Sequence, residues 1–266
     1  MKKFTSKGTF GCIISSKPEC STPLTYMIGN FRFFVSKLLP TSIKWRLIRV
    51  CGSWVDFYAL IVQGIYPLWN KNDTFSQIYR HVYTRSLQDK KRAFILYSLA
   101  QNYATSSGEF AELGTYKGAS AYIMKEASLG GKAIHVFDTF TGLPEVSSRD
   151  TFWKRGDMAE TSYATVAKFL EATCFHIHQG VFPESAKDIP SETKYCFVHI
   201  DVDLYQSTLD GCRYFYKKMT PGGTMLFDDY GFLSCKGAKN AIDEFFKDKP
   251  EELIYLPSGQ CFIIKK

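Results

Sequence analysis

The 266-residue sequence predicts an α/β fold built on a mostly parallel β-sheet. From about residue 108 onward, short apolar runs rich in β-branched residues alternate with amphipathic helical stretches. Such runs are typical of strands buried on both faces of a sheet, and their alternation with helices predicts right-handed parallel crossovers. Two last apolar runs flank the turn Pro257-Ser258-Gly259, so a terminal hairpin with one antiparallel strand is expected.

The elements follow in chain order. Strands are expected at residues 108–113, 133–138, 174–179, 196–201, 223–228, 252–256 and 260–264. Helices are expected at residues 119–129, 161–172, 207–219 and 237–248. Before the first strand, residues 75–103 carry an apolar stripe at helical spacing with a break at Tyr83-Thr84, which predicts a helical lead-in or lid. The α/β domain, with this lead-in, is therefore expected to cover residues 75–266.

Residues 1–74 are predicted to form a basic, aromatic, helical extension. Residues 1–92 carry 15 Lys and Arg against 4 Asp and Glu, whereas the remainder of the chain is mildly acidic. A basic arm indicates contact with an anionic surface or a neighbouring subunit, and no nucleic-acid-reading motif accompanies it. A homo-oligomer, a dimer or larger, is expected.

The segment Val50–Trp69 has nearly the length of a membrane span, but Asp56 and Gln63 interrupt it. An interfacial amphipathic segment or helices packed on the domain fit the pattern better, so a peripheral membrane contact stays open. The eight cysteines form no C-x-x-C pair, and the first residues lack the apolar core of a secretory signal. A cytoplasmic, reducing location is the expectation.

A glycine-containing loop follows the first predicted strand. Glu112, Gly114 and Gly118 form the pattern E-x-G-x-x-x-G just before a helix, where glycines allow tight turns and the helix start offers free N–H groups. Asp138 ends the next strand, near the separation expected for an acid that binds ribose hydroxyls. The diphosphate pattern G-x-G-x-x-G is missing, which disfavours a nicotinamide dehydrogenase. A nucleoside without a diphosphate, S-adenosylmethionine, is the expected ligand.

Aspartates stand at the ends of two later predicted strands. Asp201 and Asp203 follow one apolar run, and Asp228 and Asp229 follow the next. Ligands of open α/β sheets bind beyond the carboxyl ends of the strands, so these carboxylates are expected to share one crevice. Carboxylate oxygens suit a hard divalent cation such as Mg²⁺. Capping of the helices and turns that follow is the alternative role.

Four motifs then occur in order: Glu112-Leu113-Gly114-Thr115-Tyr116-Lys117-Gly118, Phe137-Asp138-Thr139-Phe140-Thr141-Gly142-Leu143-Pro144, Ile200-Asp201-Val202-Asp203-Leu204-Tyr205-Gln206-Ser207-Thr208, and Gly222-Gly223 through Asp228-Asp229-Tyr230-Gly231. Together they resemble the macrocin O-methyltransferase (TylF-type) family. Its members are class I, S-adenosylmethionine- and magnesium-dependent enzymes that methylate sugar hydroxyls on natural products. The resemblance spans about residues 75–264 and implies a Rossmann-like, seven-stranded sheet.

The resemblance implies roles for individual residues. Those expected to contact the methyl donor are Glu112, Gly114, Thr115 and Gly118 below its methionine half, Asp138 with Thr139 and Phe140 at its ribose, Gly180 and Phe182 at its adenine, and Tyr83 and Thr84 closing from the helical lead-in. Asp201, Asp228 and Asp229 are expected to bind Mg²⁺. Asp201 is the expected base for the acceptor hydroxyl, and His199 is the rival.

The expected function is methylation of a sugar hydroxyl on a saccharide, a glycolipid or a glycosylated metabolite. A catechol-type O-methyltransferase, acting on an aromatic diol, shares the fold and the metal chemistry. A membrane-tethered S-adenosylmethionine-binding protein without catalysis is the alternative from another class. The segment from Leu143 to Thr161 is expected to form a loop over the acceptor, in which Phe152 and Trp153 either stack on a sugar or pack locally.

Overall fold

The computed structural model describes residues 67–266. The predicted extension therefore lies outside the described residues except for its last part, and so does the apolar segment up to residue 66. Among the described residues, no helix has both the length and the apolar character needed to cross a bilayer.

The helices and strands of the described part lie close to the predicted ones. The helices are α1 (Leu68–Lys71), α2 (Asp73–Val82), α3 (Lys90–Asn102), α4 (Ala119–Ala127), α5 (Tyr163–Phe169), α6 (Tyr205–Tyr216) and α7 (Lys236–Phe246). The strands are β1 (Glu109–Leu113), β2 (Ile134–Asp138), β3 (Phe175–Gln179), β4 (Tyr195–Ile200), β5 (Met219–Phe227), β6 (Ile254–Tyr255) and β7 (Cys261–Ile264). Two short 3₁₀ helices lie at Glu184–Ala186 and Leu233–Cys235.

The strands form one seven-stranded sheet in the order β3-β2-β1-β4-β5-β7-β6. The first five are parallel to one another, and β7 pairs antiparallel with both β5 and β6. This confirms the predicted mixed sheet with a terminal hairpin. The carboxyl ends of β1, β2, β4 and β5 meet at one edge of the sheet, where ligands of such folds bind.

Side-chain caps set the ends of the lead-in helices. The Asn72 side chain accepts a hydrogen bond from the backbone N–H of Phe75 at the start of α2. The Asp89 carboxylate accepts from the N–H groups of Lys91 and Arg92 at the start of α3. The break between the two helices runs from residue 83 to residue 89 and contains the predicted break at Tyr83-Thr84.

Two hydrophobic cores hold the sheet in place. One contains lead-in residues such as Phe75 and Leu96 packed with strand residues such as Phe197. The other contains Phe215 of α6 and Phe246 of α7, packed with further strand residues. Each fully buried side chain of this size contributes about 1.5–3 kcal/mol. The strand ends that carry the candidate site are thus fixed from both faces.

Helix α5 and strand β6 are much shorter than predicted. Helix α5 begins only at Tyr163, because the Ser162 hydroxyl accepts a hydrogen bond from the N–H of Thr165 and so caps the helix there. Strand β6 contains only two residues, Ile254 and Tyr255, both exposed at the edge of the sheet. Very short edge strands are a common way of limiting unwanted strand pairing.

Candidate active site

The loop between β1 and α4 depends on two glycines. Gly114 and Gly118 have φ angles of 85° and 84°, a region that favours glycine. A Cβ atom on Gly114 would overlap the carbonyl oxygen of Asp201, which follows β4. The Gly114 N–H donates to the carbonyl of Phe137 in β2. This glycine therefore lets the loop lie directly between the ends of β2 and β4.

Asp138, at the end of β2, organises the same loop. Its Oδ2 accepts hydrogen bonds from the N–H groups of Thr115 (2.9 Å) and Tyr116 (2.8 Å), and its Oδ1 accepts from the N–H of Phe140 (2.7 Å). Burial raises the pKa of Asp138, and the three backbone bonds work against that rise. A carboxylate has about four acceptor positions, so about one remains for a ligand hydroxyl.

Thr139 and Phe140 form the turn after β2. The Thr139 hydroxyl donates to the carbonyl of Gly142 at 2.6 Å. Phe140 has a φ of 55° and a buried ring that meets Tyr163 edge-on. Both residues thus shape the backbone beside Asp138.

The residues after β3 divide into two environments. The Gly180 N–H donates to the carbonyl of Asp138 at 3.0 Å, which places this glycine beside the ribose-binding candidate. The Phe182 ring is only 8% exposed and packs against Phe137 and Phe215 in the second core. Core side chains thus cover much of this ring, and its expected place at the adenine stays a prediction.

The lead-in reaches the glycine loop through the segment after α2. Tyr83 and Thr84 lie in an exposed turn. The next residue, Arg85, donates from Nη1 to the carbonyl of Lys117 at 3.2 Å and lies over the ring of Phe169. These contacts hold the turn next to the glycine loop. The expected contact of Tyr83 and Thr84 with the methyl donor stays a prediction.

The four aspartates Asp201, Asp203, Asp228 and Asp229, here called the carboxylate cluster, lie at the ends of β4 and β5. Two sets of side chains each offer ligand atoms within 4.8 Å of one another, namely His199 with Asp201 and Asp228, and Asp203 with Asp229 and Cys235. The three expected metal ligands are therefore divided between two adjoining sets, with Asp201 and Asp228 in the same one.

Asp228 is fully buried and has four polar neighbours. Arg92 donates to its Oδ2, while Gln88 (2.9 Å) and Gln260 (2.8 Å) donate to its Oδ1. His199 Nε2 lies 3.6 Å from the same Oδ1. Burial acts to raise the pKa of Asp228, but Arg92 and the hydrogen bonds outweigh it, and the pKa lies below its ordinary value.

The other members of the cluster have fewer compensating partners. Burial and the charges of Asp228 and Asp229 hold the pKa of Asp201 well above its usual range. Burial and the charge of Asp228 raise the pKa of Asp229 to about 6. Asp203 has a φ of 59°, and its N–H donates to Asp229 while Cys235 donates to its carboxylate. The pKa values of Asp201, Asp203 and Asp229 are thus all raised, as expected for buried carboxyl groups that lie close together.

This donor set fits a divalent cation such as Mg²⁺. Within the described residues, these four carboxylates face the guanidinium of Arg92 and the imidazole of His199. A further buried oxygen next to the cluster, Gln88 Oε1, finds no hydrogen-bond donor among residues 67–266. Hard cations prefer oxygen ligands of this kind, and Asp201, Asp228 and Asp229 would hold the ion.

His199 is completely buried between two acids. Its Nδ1 lies 2.9 Å from Glu112 Oε1, and its Nε2 faces Asp228. Burial acts to lower its pKa, but the contacts with Asp228 and Glu112 outweigh burial and raise it to about 10. Both ring nitrogens of His199 thus lie beside acidic side chains, and its role as the alternative base stays a prediction.

Gln88, Arg92 and Gln260 were missed by the sequence reasoning, although all three contact Asp228. Gln88 lies in the segment just before α3, and Arg92 lies in the first turn of that helix. Nothing in the local sequence around either residue points to the strand ends. Gln260 precedes β7, and nothing in its local sequence distinguishes it from an ordinary turn residue.

The loop from residue 139 to residue 162 is anchored at Asp150, another residue that the sequence reasoning did not select. The buried Asp150 carboxylate accepts hydrogen bonds from the N–H groups of Tyr205 (2.8 Å) and Ser147 (3.0 Å). Phe152 and Trp153 meet edge-on with their ring centroids 5.0 Å apart. This anchor fixes the loop to the start of α6, beside the carboxylate cluster.

Curated relatives match about half of the chain. The 8-demethyl-8-(2,3-dimethoxy-alpha-L-rhamnosyl)-tetracenomycin-C 4'-O-methyltransferase of Streptomyces olivaceus is 24% identical over 49% of this chain and 56% of that protein. The demethyldecarbamoylnovobiocin O-methyltransferase of Streptomyces niveus is 25% identical over 52% of this chain and 58% of that protein. The chain thus spans less than two thirds of the length of these relatives.

Solved structures share the fold. The O-methyltransferase NovP superposes with a TM-score of 0.61 at 22% identity, covering 68% of this chain and 82% of that chain. A calicheamicin methyltransferase superposes with a TM-score of 0.57 at 17% identity, covering 75% of this chain and 93% of that chain. The family model described as macrocin-O-methyltransferase (TylF) matches residues 90–253, more than half of the chain and all four sequence motifs. The chain therefore belongs to the macrocin-O-methyltransferase (TylF) family.

Proposed function

We propose that this chain transfers a methyl group from S-adenosylmethionine to a hydroxyl of a sugar moiety on a glycosylated metabolite, a saccharide or a glycolipid. The observation that carries the proposal is the direct contact between the glycine loop and the carboxylate cluster, through Gly114 and Asp201. The two halves of a methyl-transfer site, one for the donor and one for the acceptor, would then adjoin. A relative named for a rhamnosyl-tetracenomycin supports the sugar acceptor.

The donor half would be bound by the ends of β1 and β2. When bound, S-adenosylmethionine supplies a methyl group activated by its sulfonium. Asp138 would accept a ribose hydroxyl at its remaining acceptor position, and Glu112 and the glycine loop would lie below the methionine half. Thr115 Oγ1 and Glu112 Oε2 are buried without hydrogen-bond partners in the described part of the chain, which leaves both available to this ligand.

The acceptor half would lie at the carboxylate cluster. A divalent cation held by Asp201, Asp228 and Asp229 would supply positive charge that lowers the proton affinity of an acceptor hydroxyl. Asp201 would take that proton while the hydroxyl oxygen attacks the methyl carbon and the sulfur–carbon bond breaks. Alignment of the two ligands would provide a large share of the rate, because the sulfonium is already a good leaving group.

Assembly and location rest on the sequence alone. The charge excess of residues 1–92 supports a homo-oligomer or a peripheral membrane contact made through the N-terminal extension. The acceptor would be a small sugar-linked molecule or a saccharide in either case.

The test is transfer of the isotope-labelled methyl group of S-adenosylmethionine to a panel of acceptors by the full chain. The panel contains deoxysugar glycosides, free sugars, glycolipids and catechols, each incubated with Mg²⁺ or with EDTA. Label on a sugar hydroxyl, lost in EDTA, is the expected result. Label on catechols alone would contradict the proposed sugar acceptor. Undiminished transfer in EDTA would contradict the proposed dependence on a divalent cation.

A further inference from the structure

We propose that Arg92 is a built-in competitor of the metal ion, a fixed cation that neutralises Asp228 and thereby sets the metal affinity of the carboxylate cluster. This inference rests on the proposed function, because it assumes that the cluster binds a divalent cation. It concerns a residue of the helical lead-in, outside the strand ends that carry the cluster itself.

Arg92 is held rigidly at this position. One terminal nitrogen donates to Asp228, and the other donates to the carbonyl of Leu87 at 3.1 Å. The guanidinium lies 4.7 Å from the ring centroid of Phe232, and the side chain is 13% exposed. A cation over an aromatic face with both terminal nitrogens bonded is positioned before any ligand arrives. The contact with Asp228 is therefore a built feature of the fold.

The other donors around Asp228 reinforce this arrangement. Gln88 and Gln260 direct their amide nitrogens to Oδ1 at 2.9 and 2.8 Å, while Arg92 bonds Oδ2. Both oxygens of Asp228 are thus engaged. By contrast, Asp201 and Asp229 form no ion pair with any residue in the described range 67–266. A metal ion that uses Asp228 must compete with Arg92, whereas Asp201 and Asp229 have no such cation to give up.

Two consequences follow from this competition. Without metal, Arg92 supplies counter-charge to the buried Asp228 by direct contact, with His199 Nε2 3.6 Å from the same carboxylate. This matters because an unpaired buried carboxylate is strongly destabilising. With metal, the guanidinium repels the incoming cation and lowers its affinity. A purely structural arginine would have the opposite effect, because its loss would disorder the ligands and weaken metal binding. The sign of the change in affinity therefore separates the two roles.

The experiment is titration of the full chain with Mn²⁺ alone, followed by electron paramagnetic resonance of the free ion. We expect Arg92→Gln to bind Mn²⁺ at least about tenfold more tightly than the wild type, a change of about 1.4 kcal/mol. Arg92→Lys keeps the positive charge but lacks the planar guanidinium with its two terminal nitrogens. A smaller rise in Mn²⁺ affinity, of about threefold, is therefore expected. Arg213→Gln, which removes an exposed arginine of α6 paired with Asp210, serves as the matched control and should leave the affinity unchanged.

Thermal unfolding in EDTA and in Mn²⁺ gives a second readout. In EDTA, Arg92→Gln should unfold at a lower temperature than the wild type. Addition of Mn²⁺ should raise the unfolding temperature of Arg92→Gln by more than that of the wild type. If Arg92→Gln does not fold, the Mn²⁺ affinity of Arg92→Lys tests the inference instead, and a rise supports it. Unchanged or weaker Mn²⁺ binding by these variants, with binding by the wild type intact, would overturn the inference. Absence of Mn²⁺ binding in all variants would overturn the proposed metal as well, while S-adenosylhomocysteine binding would still report on the donor site.

Discussion

Gly114 lies against Asp201, so that the backbone of the glycine loop touches the backbone at the start of the carboxylate cluster. The Asp201 N–H donates to the carbonyl of Leu113 at 2.9 Å, and no room is left for a Cβ atom on the next residue, Gly114. The candidate donor loop and the candidate metal ligands are thus joined through one short stretch of backbone. A substitution in the glycine loop is therefore expected to displace the carboxylate cluster, and a substitution in the cluster to displace the loop.

Gly114→Ala should therefore destabilise the protein and abolish donor binding. The positive φ alone costs about 1–2 kcal/mol for a residue with a Cβ atom. The overlap with the Asp201 carbonyl should bring the total to about 3 kcal/mol or more, because one of the two backbones must move. Urea unfolding together with titration of S-adenosylhomocysteine measures both effects.

Gly130→Ala is the matched control for this substitution. Gly130 also has a positive φ, of 70°, but a Cβ atom there would meet nothing within 4 Å. Only the backbone cost of about 1–2 kcal/mol is expected, with donor binding intact. Equal losses of stability in the two variants would contradict the close contact at Gly114.

Asp201→Asn should remove most activity while it leaves the donor site intact. The amide keeps the shape of the side chain but can neither accept the acceptor proton nor offer the same charge to a cation, so kcat should fall at least about a hundredfold. The affinity for S-adenosylhomocysteine should stay within about threefold of the wild type. Steady-state kinetics with titration calorimetry separates the two quantities.

Asp210→Asn provides the comparison for Asp201→Asn, because Asp210 lies on α6 and its carboxylate accepts from Gln206 at the surface. It should leave both kcat and the affinity for S-adenosylhomocysteine unchanged. Near-normal turnover of Asp201→Asn would exclude that residue as the base.

Acid stability should depend on Glu251, which ties the end of the chain to α6. Its carboxylate accepts from Lys265 Nζ (2.7 Å), the N–H of Lys266 (3.2 Å) and the Tyr216 hydroxyl (2.8 Å). Burial acts to raise the pKa of Glu251, but these hydrogen bonds outweigh it and lower the pKa to about 2. A depressed acid pKa adds stability that is fully present above the unfolded-state pKa of about 4.5 and is lost as pH falls toward 2.

Glu251→Gln should therefore cost about 1–3 kcal/mol at neutral pH, the usual worth of hydrogen bonds to a charged group. The difference from the wild type should shrink as pH falls from about 4.5 to about 2. Urea unfolding at several pH values measures it. A difference that stays constant across this range would mean that the charge of Glu251 contributes nothing.

Local signals sufficed for the sheet and for the residues at its strand ends. A run such as residues 196–200 is mostly apolar and contains the β-branched Val198 and Ile200, so it predicts a buried strand without knowledge of its neighbours. Cysteines within such runs are buried with them, and Cys196 and Cys261 are 1% and 0% exposed. Aspartates that follow such strands must lie at one sheet edge, which is why Asp201 and Asp228 could be placed together.

Contacts made across long stretches of chain could not be predicted in this way. Gln88 and Arg92 look like ordinary polar residues at the start of a helix, and their role depends on where that helix packs relative to β5. Gln260 reaches Asp228 only because β7 inserts next to β5. The contact of Phe182 with Phe215 of α6 is another such long-range contact, which the sequence around Phe182 does not reveal.

The central claim is a donor site for S-adenosylmethionine at the ends of β1 and β2. Its most direct test is calorimetric titration of S-adenosylhomocysteine into the full chain, wild type and Asp138→Ala, with and without Mg²⁺. We expect micromolar binding by the wild type and at least about tenfold weaker binding by Asp138→Ala, because a charge-assisted hydrogen bond to the ribose is lost. Absence of binding by the folded wild type under both conditions would contradict the methyltransferase assignment.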